Sequence, residues 1–121
     1  MMRSVLVVDD EKSILELFDY ALRTNGYQVE TATDGLEGLR KFSEGCFDVV
    51  ITDILLDGTD GRDLLNRIRS SDKPRTPVIG VSGTPWLLEN TDFDQVLEKP
   101  FSIQHLIDSV KGLMICGVPA A

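Results

Sequence analysis

Short apolar runs alternate along the chain with stretches in which apolar residues recur every three or four positions. The first run, residues 5–8, is continuous and rich in valine, which is typical of a strand buried on both faces of a parallel sheet. Similar runs predict further strands at 27–33, 47–52, 78–82 and about 95–98. The stretches between them, around 14–22, 36–42, 61–70 and 103–113, have the apolar spacing of amphipathic helices. Asn25-Gly26 is expected to end the first helix, Asp34 to cap the second, and Ser102 to open the last.

The strict alternation of strands and helices predicts an α/β fold. With five strands and right-handed crossovers, the favoured architecture is a flavodoxin-like, doubly wound parallel sheet in the order 2-1-3-4-5, with helices on both faces. The length of 121 residues suits a single domain over 1–121. Its core is expected at about 3–113, followed by a short C-terminal tail that is partly frayed.

Charge and composition argue against several classes of function. The 20 acidic and 12 basic residues give a net charge of −8, and direct nucleic-acid binding would need a basic face instead. No apolar run reaches the roughly 18 residues needed to cross a bilayer, so no membrane insertion is expected. Cys46 and Cys116 lie too far apart to suggest a zinc or disulfide motif, and a cytoplasmic, reducing location is expected.

The candidate chemistry lies at the ends of the predicted strands, where open α/β sheets bind their ligands. Asp9 and Asp10 follow the first strand, Asp53 the third, Ser82 the fourth and Lys99 the fifth. The first and third strands are neighbours in the proposed order, so three carboxylates converge and would repel one another without a cation. Such an oxygen-rich site suits Mg²⁺. Asp53 is then a candidate nucleophile for a phosphoryl group, which Ser82 and Lys99 would contact.

Each of these residues alone has an ordinary structural explanation, since an aspartate after a strand is often a helix cap and a lysine-proline pair is often a loop. Their conjunction, one group at the end of each of four strands, favours the functional interpretation. Five short motifs carry it; they lie at residues 5–11, 48–53, 60–61, 81–83 and 99–101.

With these motifs, the chain over about 3–113 resembles a response-regulator receiver domain of two-component signalling. The resemblance implies that Asp53 is the phosphoacceptor and that Ser82 and Lys99 contact the phosphoryl group. It also implies that Mg²⁺ is held by Asp10 directly, by Asp9 largely through water, by Asp53, and by the backbone carbonyl of Leu55. The family usually holds the lysine-proline bond, here Lys99–Pro100, in the cis form.

The resemblance also implies the function and the partners. Such a domain takes a phosphoryl group from the phosphohistidine of a sensor histidine kinase or a phosphotransfer protein, loses it by hydrolysis, and switches conformation for a downstream protein target that the sequence does not name. It is not an enzyme in the usual sense, because it catalyses only its own phosphorylation and dephosphorylation.

The sequence departs from the family pattern in three places. Asp57 replaces a usual proline, and Val96 replaces an aromatic residue that commonly reports phosphorylation. Only 16 residues separate Ser82 from Lys99, so the fourth helix is expected to be short or missing, with at most about two turns between 83 and 94. The conformational signal is therefore expected in the backbone from Ser82 to Trp86.

Three other functions are compatible with an α/β domain of this kind. A degenerate receiver that binds proteins without phosphorylation stays open, favoured by Val96 and the short fourth unit. A flavin carrier of the same architecture is disfavoured because Asp9 and Asp10 would repel the flavin phosphate. A phosphohydrolase of the haloacid-dehalogenase type is disfavoured because Leu55 stands where a second aspartate is needed. His105 is expected to be a partly exposed helix residue with no catalytic role.

Overall fold

The computed structural model describes residues 3–56, 60–83 and 92–116, without the side chains of 115 and 116. Five parallel strands form one sheet in the order β2-β1-β3-β4-β5, which confirms the predicted topology. The strands are β1 (Ser4–Val8), β2 (Gln28–Ala32), β3 (Val49–Asp53), β4 (Val78–Ser82) and β5 (Gln95–Glu98). In the described residues the helices are α1 (Lys12–Thr24), α2 (Gly35–Glu44), α3 (Gly61–Arg69) and α4 (Ile103–Cys116).

Alternating strand residues divide the core into two layers. Val5 and Val7 face the side covered by α1 and α4, where they pack with residues such as Phe18 and Leu106. Leu6 and Val8 face the opposite layer, which contains Phe42 of α2 and three apolar residues of α3. Burial on both faces explains why the first strand reads as a continuous apolar run.

The helix ends follow the predicted chemistry. Asp34 accepts a hydrogen bond from the Glu37 amide at 2.7 Å and so caps α2. The Ser102 hydroxyl accepts one from the His105 amide at 3.0 Å at the start of α4. Gly26, just after α1, has a φ of 91°, a conformation that favours glycine. His105 is exposed on α4, as expected.

Two strand boundaries differ from the prediction. The second strand is shorter, Gln28–Ala32, and the third begins later and ends on Asp53 itself. Asp48 lies just before β3, where its carboxylate accepts a hydrogen bond from the Ser4 amide at 2.7 Å and its own amide donates to the Ser4 carbonyl at 2.8 Å. The consequence is that Asp53 is held in the sheet, paired in register with Val81 of β4.

Some predictions fall outside the described residues: the short or missing helix, Asp57, Trp86, and the fraying of the tail beyond residue 116. Cys46 is exposed and carries a free thiol. None of the helices in the described ranges combines the length and the apolar character needed to cross a membrane.

Candidate functional site

Three carboxylates converge at the carboxyl edge of the sheet, as the sequence predicted. Asp9 and Asp10 directly follow β1, and Asp53 ends the neighbouring strand β3. Each of the three contributes a carboxylate oxygen, and these oxygens lie within 4.8 Å of one another. Asp9 is only 2% exposed and Asp53 only 8%. Asp9, Asp10 and Asp53 are called the acidic pocket below.

The pKa of Asp9 is shifted by its surroundings in the acidic pocket. Burial raises its pKa to about 6, and the neighbouring charges of Asp53 and Asp10 act in the same direction. The opposing influences are the Glu11 amide, which donates a hydrogen bond to Asp9 Oδ1 at 2.9 Å, and the charge of Lys99. The proton on Asp9 therefore competes with any cation near neutral pH.

Lys99 places a positive charge beside the acidic pocket. Its Nζ lies 3.1 Å from Asp53 Oδ2, and its side chain is 35% exposed. Partial burial alone would lower the pKa of Lys99, but the hydrogen bond and charge of Asp53, with the charges of Asp9 and Glu11, raise it overall. The Lys99–Pro100 bond is cis, as expected. Lys99 is thus a charged group in direct contact with the proposed phosphoacceptor.

Ser82 lies at the same edge of the sheet. It is the last residue of β4 and is buried. Asp53 pairs with the preceding residue, Val81, and the Ser82 carbonyl accepts a hydrogen bond from the Lys99 amide at 2.9 Å. The ladder therefore places Ser82 between the strand of Asp53 and the strand that leads to Lys99.

The loop after β3 folds tightly back against Asp53. The Leu55 amide approaches Asp53 Oδ1 at 3.4 Å, and Leu55 pairs with Asp60 in an isolated antiparallel bridge. The Leu55 side chain is 68% exposed. Whether its carbonyl is a metal ligand stays a prediction.

Gly61 supports this loop in a way that sequence reasoning missed. Its amide donates to the Ile54 carbonyl at 2.8 Å, and a Cβ at this position would lie 2.3 Å from the Asp53 carbonyl oxygen. Only glycine allows the start of α3 to approach the strand that ends at Asp53 this closely. The Asp60-Gly61 motif is recognisable in the sequence, but nothing in the sequence shows that a side chain at residue 61 would collide with the backbone of Asp53.

Asp60 fixes the start of α3. Its carboxylate accepts hydrogen bonds from the Arg62 amide at 2.8 Å and from the Arg62 guanidinium at 2.6 Å. The side-chain hydrogen bond from Arg62 lowers the pKa of Asp60, although partial burial opposes it. Asp60 therefore stays charged as a helix cap, separate from the acidic pocket.

The comparisons with known proteins agree with this geometry. A family model described as the response regulator receiver domain matches residues 5–111. The chain belongs to the response-regulator receiver domain family. Among curated relatives, the receiver domain is 35% identical over 115 residues to the transcriptional regulatory protein TrcR of Mycobacterium tuberculosis, covering 91% of this chain and 44% of TrcR.

A second relative is the alkaline phosphatase synthesis transcriptional regulatory protein PhoP of Bacillus subtilis, 32% identical, with 94% of this chain and 49% of PhoP covered. The receiver domain thus spans less than half the length of either relative. Its match to these transcriptional regulators is a match to one part of them.

Solved structures show the same receiver fold. The chemotaxis response regulator CheY4 of Vibrio cholerae superimposes with a TM-score of 0.87 at 29% identity, covering 93% of this chain and 99% of that one. The response regulator TrrA of Thermotoga maritima, solved in complex with Mg²⁺ and beryllofluoride, gives a TM-score of 0.84 at 34% identity, with coverages of 93% and 99%.

Proposed function

We propose that this receiver domain accepts a phosphoryl group on Asp53 and releases it by hydrolysis, in a Mg²⁺-dependent cycle. The observation that carries the proposal is the conjunction of the acidic pocket, with carboxylate oxygens within 4.8 Å of one another, and the Lys99 ammonium 3.1 Å from Asp53. A buried nucleophile, a cation site and a fixed positive charge are the components that phosphoryl transfer needs.

The donor set fits a hard divalent cation. Three carboxylate oxygens at this separation repel one another when all are ionised. The pKa of Asp9 is raised mainly by burial, and the charges of Asp53 and Asp10 add to that effect. Oxygen-only ligands favour Mg²⁺, which usually takes one or two carboxylates and keeps several waters. Asp9, Asp10 and Asp53 would hold it, with the Leu55 carbonyl as a further candidate ligand. Bound there, Mg²⁺ would neutralise negative charge on phosphoryl oxygens.

In the proposed reaction a carboxylate oxygen of Asp53 attacks phosphorus. The new O–P bond forms as the P–N bond of a donor phosphohistidine breaks, and the electron pair of that bond returns to the imidazole. Lys99 then neutralises charge on the transferred group, and Ser82 offers it a hydroxyl donor. In the return step a water oxygen attacks phosphorus, which restores the Asp53 carboxylate and gives inorganic phosphate.

The donor would be a sensor histidine kinase or a phosphotransfer protein, and the phosphorylated domain would act on a downstream protein target in the cytoplasm. TrcR and PhoP are transcriptional regulators, so a transcriptional output of a longer protein is a reasonable part of this proposal. The domain would turn over no external substrate other than its phosphoryl donor. The alternative is a protein-binding module that acts without phosphorylation.

The direct test is incubation with acetyl phosphate and Mg²⁺, followed by intact-mass measurement. The wild-type domain should gain one phosphoryl mass, and Asp53→Asn should gain none because the amide is a poor nucleophile. Asp48→Asn is the matched control: Asp48 precedes the same strand but lies at its opposite end, where it binds the Ser4 amide. This control should label like the wild type.

Labelling of Asp53→Asn at the wild-type rate would show that another residue is the acceptor. A folded wild-type domain that takes no phosphoryl group from either acetyl phosphate or a histidine kinase panel would favour the phosphorylation-independent module. Circular dichroism of each variant establishes that it is folded.

A further inference from the structure

Arg69, the last residue of α3, connects three segments of the chain far from the acidic pocket. Its guanidinium donates to the carbonyls of Pro74 at 3.0 Å and Thr76 at 2.7 Å, in the loop before β4. It also donates to the Asp92 carbonyl and to Asp94 Oδ2, both at 2.8 Å, just before β5. One planar side chain thus fixes the entrances of two neighbouring strands, and this fork geometry is a property of arginine rather than lysine.

Asp94 holds the entrance of β5 against β4. Its amide donates to the Val78 carbonyl at 2.9 Å, and its Oδ2 accepts from the Val78 amide at 2.7 Å. Next to it, the Phe93 ring packs so closely on Gly80 that a Cβ there would be 3.0 Å from the ring. The backbone at residues 92–94 is therefore held by hydrogen bonds, an ion pair and an aromatic contact.

The strand that begins here ends at Lys99. β5 has only four residues and is an edge strand, paired on one side by β4. Its register runs from Gln95 opposite Ile79 to Glu98 opposite Ser82. A shift of one residue would turn Leu97 out of the core and move Lys99 away from Asp53, because strand side chains alternate between faces. The position of the Lys99 ammonium thus depends on where β5 starts.

We propose that Arg69 and Asp94 are positioning residues for Lys99. They fix the start of β5, and the short strand transmits that placement to the ammonium that contacts Asp53. The proposal rests on the proposed function, since the role of Lys99 toward a phosphoryl group is part of it. Arg69 and Asp94 lie at the start of β5, whereas Lys99 follows its end, so the proposal extends the set of residues that determine the geometry around Asp53.

The matched control is Arg23 at the other edge of the sheet. Arg23 also ties a helix to an edge strand, donating to the Val29 carbonyl and to Asp19, both at 2.7 Å. The strand it holds, β2, does not lead to Lys99. Arg23→Gln therefore measures the effect of losing an arginine that links a helix to an edge strand away from Lys99.

The experiment compares Arg69→Gln, Asp94→Asn, the double variant and Arg23→Gln. Labelling by acetyl phosphate and the affinity for beryllofluoride at saturating Mg²⁺ are measured, with affinity for Mg²⁺ alone as the internal reference. Arg69→Gln and Asp94→Asn should each lower the labelling rate and the beryllofluoride affinity by about three- to tenfold. Neither should lower the Mg²⁺ affinity, because moving Lys99 away from Asp53 removes a competing positive charge from the acidic pocket. The double variant should lose less than the sum of the two single losses, because Arg69 and Asp94 share one ion pair. Arg23→Gln should match the wild type in all three measurements.

Amide hydrogen exchange gives a readout that does not depend on phosphorylation. The Lys99 amide, which donates to the Ser82 carbonyl, should exchange faster in Arg69→Gln and Asp94→Asn and at the wild-type rate in Arg23→Gln. If the wild type takes up neither a phosphoryl group nor beryllofluoride, the proposed function is wrong. Amide exchange at Lys99 would still show whether Arg69 and Asp94 fix the position of β5.

Three outcomes would overturn the inference. One is unchanged exchange at Lys99 in folded Arg69→Gln or Asp94→Asn protein. The second is an equal loss of labelling in Arg23→Gln, which would indicate general destabilisation. The third is a loss of Mg²⁺ affinity in parallel with beryllofluoride affinity, which would place the damage in the acidic pocket. If Arg69→Gln does not fold, the nearly isosteric Asp94→Asn carries the comparison.

Discussion

The acidic pocket and the β5 edge, residues 95–99, contribute opposite charges to one site from very different surroundings. Asp9 and Asp53 extend from β1 and β3, strands that are paired on both sides, and they are almost fully buried. Lys99 follows a four-residue strand that, among the described residues, pairs with β4 alone, and its side chain is 35% exposed. Asp53, the proposed nucleophile, is thus positioned by the core, whereas the Lys99 ammonium is positioned by an edge strand.

Because of this difference, we expect Asp53 to be held rigidly and Lys99 to be displaced more easily. Moving Asp53 would require disruption of two strand ladders and both core layers. Moving Lys99 requires only a change in the short strand β5 or in residues 92–94, which hold its start. Edges of low local stability are where a domain can respond to a ligand. Matched substitutions in the two regions therefore compare the rigidity of the centre with the tolerance of the edge.

The largest stability effect is expected from Gly61→Ala. The added Cβ would lie 2.3 Å from the Asp53 carbonyl oxygen and 3.0 Å from the Ile54 Cα, both backbone atoms that cannot turn aside. The resulting shift of strand or helix should cost about 2–4 kcal/mol in the free energy of unfolding. Chemical denaturation measures it.

Gly83→Ala is the control for this prediction. Gly83 directly follows Ser82 at the same edge of the sheet, and a Cβ there would meet none of the described residues within 4 Å. Its free energy of unfolding should stay within about 0.5 kcal/mol of the wild type. Equal effects of the two substitutions would contradict the close packing described around Asp53.

An effect of comparable size is expected from pH in the metal-free protein. The folded pKa of Asp9, about 6, lies above its usual value of 3.8, so the folded state binds this proton more tightly than the unfolded chain does. The stabilisation is fully present below pH 3.8 and is lost as pH rises through 6. The loss should be on the order of 3 kcal/mol, measured by thermal unfolding in the presence of chelator.

Two controls isolate Asp9 as the cause. Asp9→Asn should remove this pH dependence, whereas Asp72→Asn, at an exposed position, should keep it. Above pH 6, added Mg²⁺ should restore stability by about 2.7 kcal/mol at one hundred times its dissociation constant. A melting temperature that is indifferent to Mg²⁺ even at tens of millimolar would contradict the metal site.

The sequence predicted the acidic pocket well, because the pattern of apolar residues along a strand depends on whether one or both of its faces are buried. The unbroken apolar run at 5–8 indicated a strand between two layers, and topology then placed Asp9 and Asp10 beside Asp53. Those inferences need only periodicity and the handedness of crossovers. The five-strand order and the convergence of the carboxylates followed without any knowledge of side-chain contacts.

The supporting contacts were not predictable in the same way. Arg69 and Asp94 are 25 residues apart, and nothing in either segment indicates that they meet. Gly61 reads as an ordinary turn glycine until the backbone it touches is known. Contacts of this kind depend on the distance between packed elements, which a single sequence does not contain.

The smallest effect is expected from Val96→Ala, which tests the tolerance of the edge. Val96 is 38% exposed, and it pairs with Gly80, which offers no side chain. Truncation should therefore cost less than about 1 kcal/mol. Val50→Ala on β3 removes the same atoms from a fully buried position and should cost about 2–3 kcal/mol. The pair is compared by chemical denaturation and by acetyl phosphate labelling. A loss at Val96 as large as that at Val50 would show that the edge is as rigid as the centre, and that Lys99 is held by the core rather than by the start of β5.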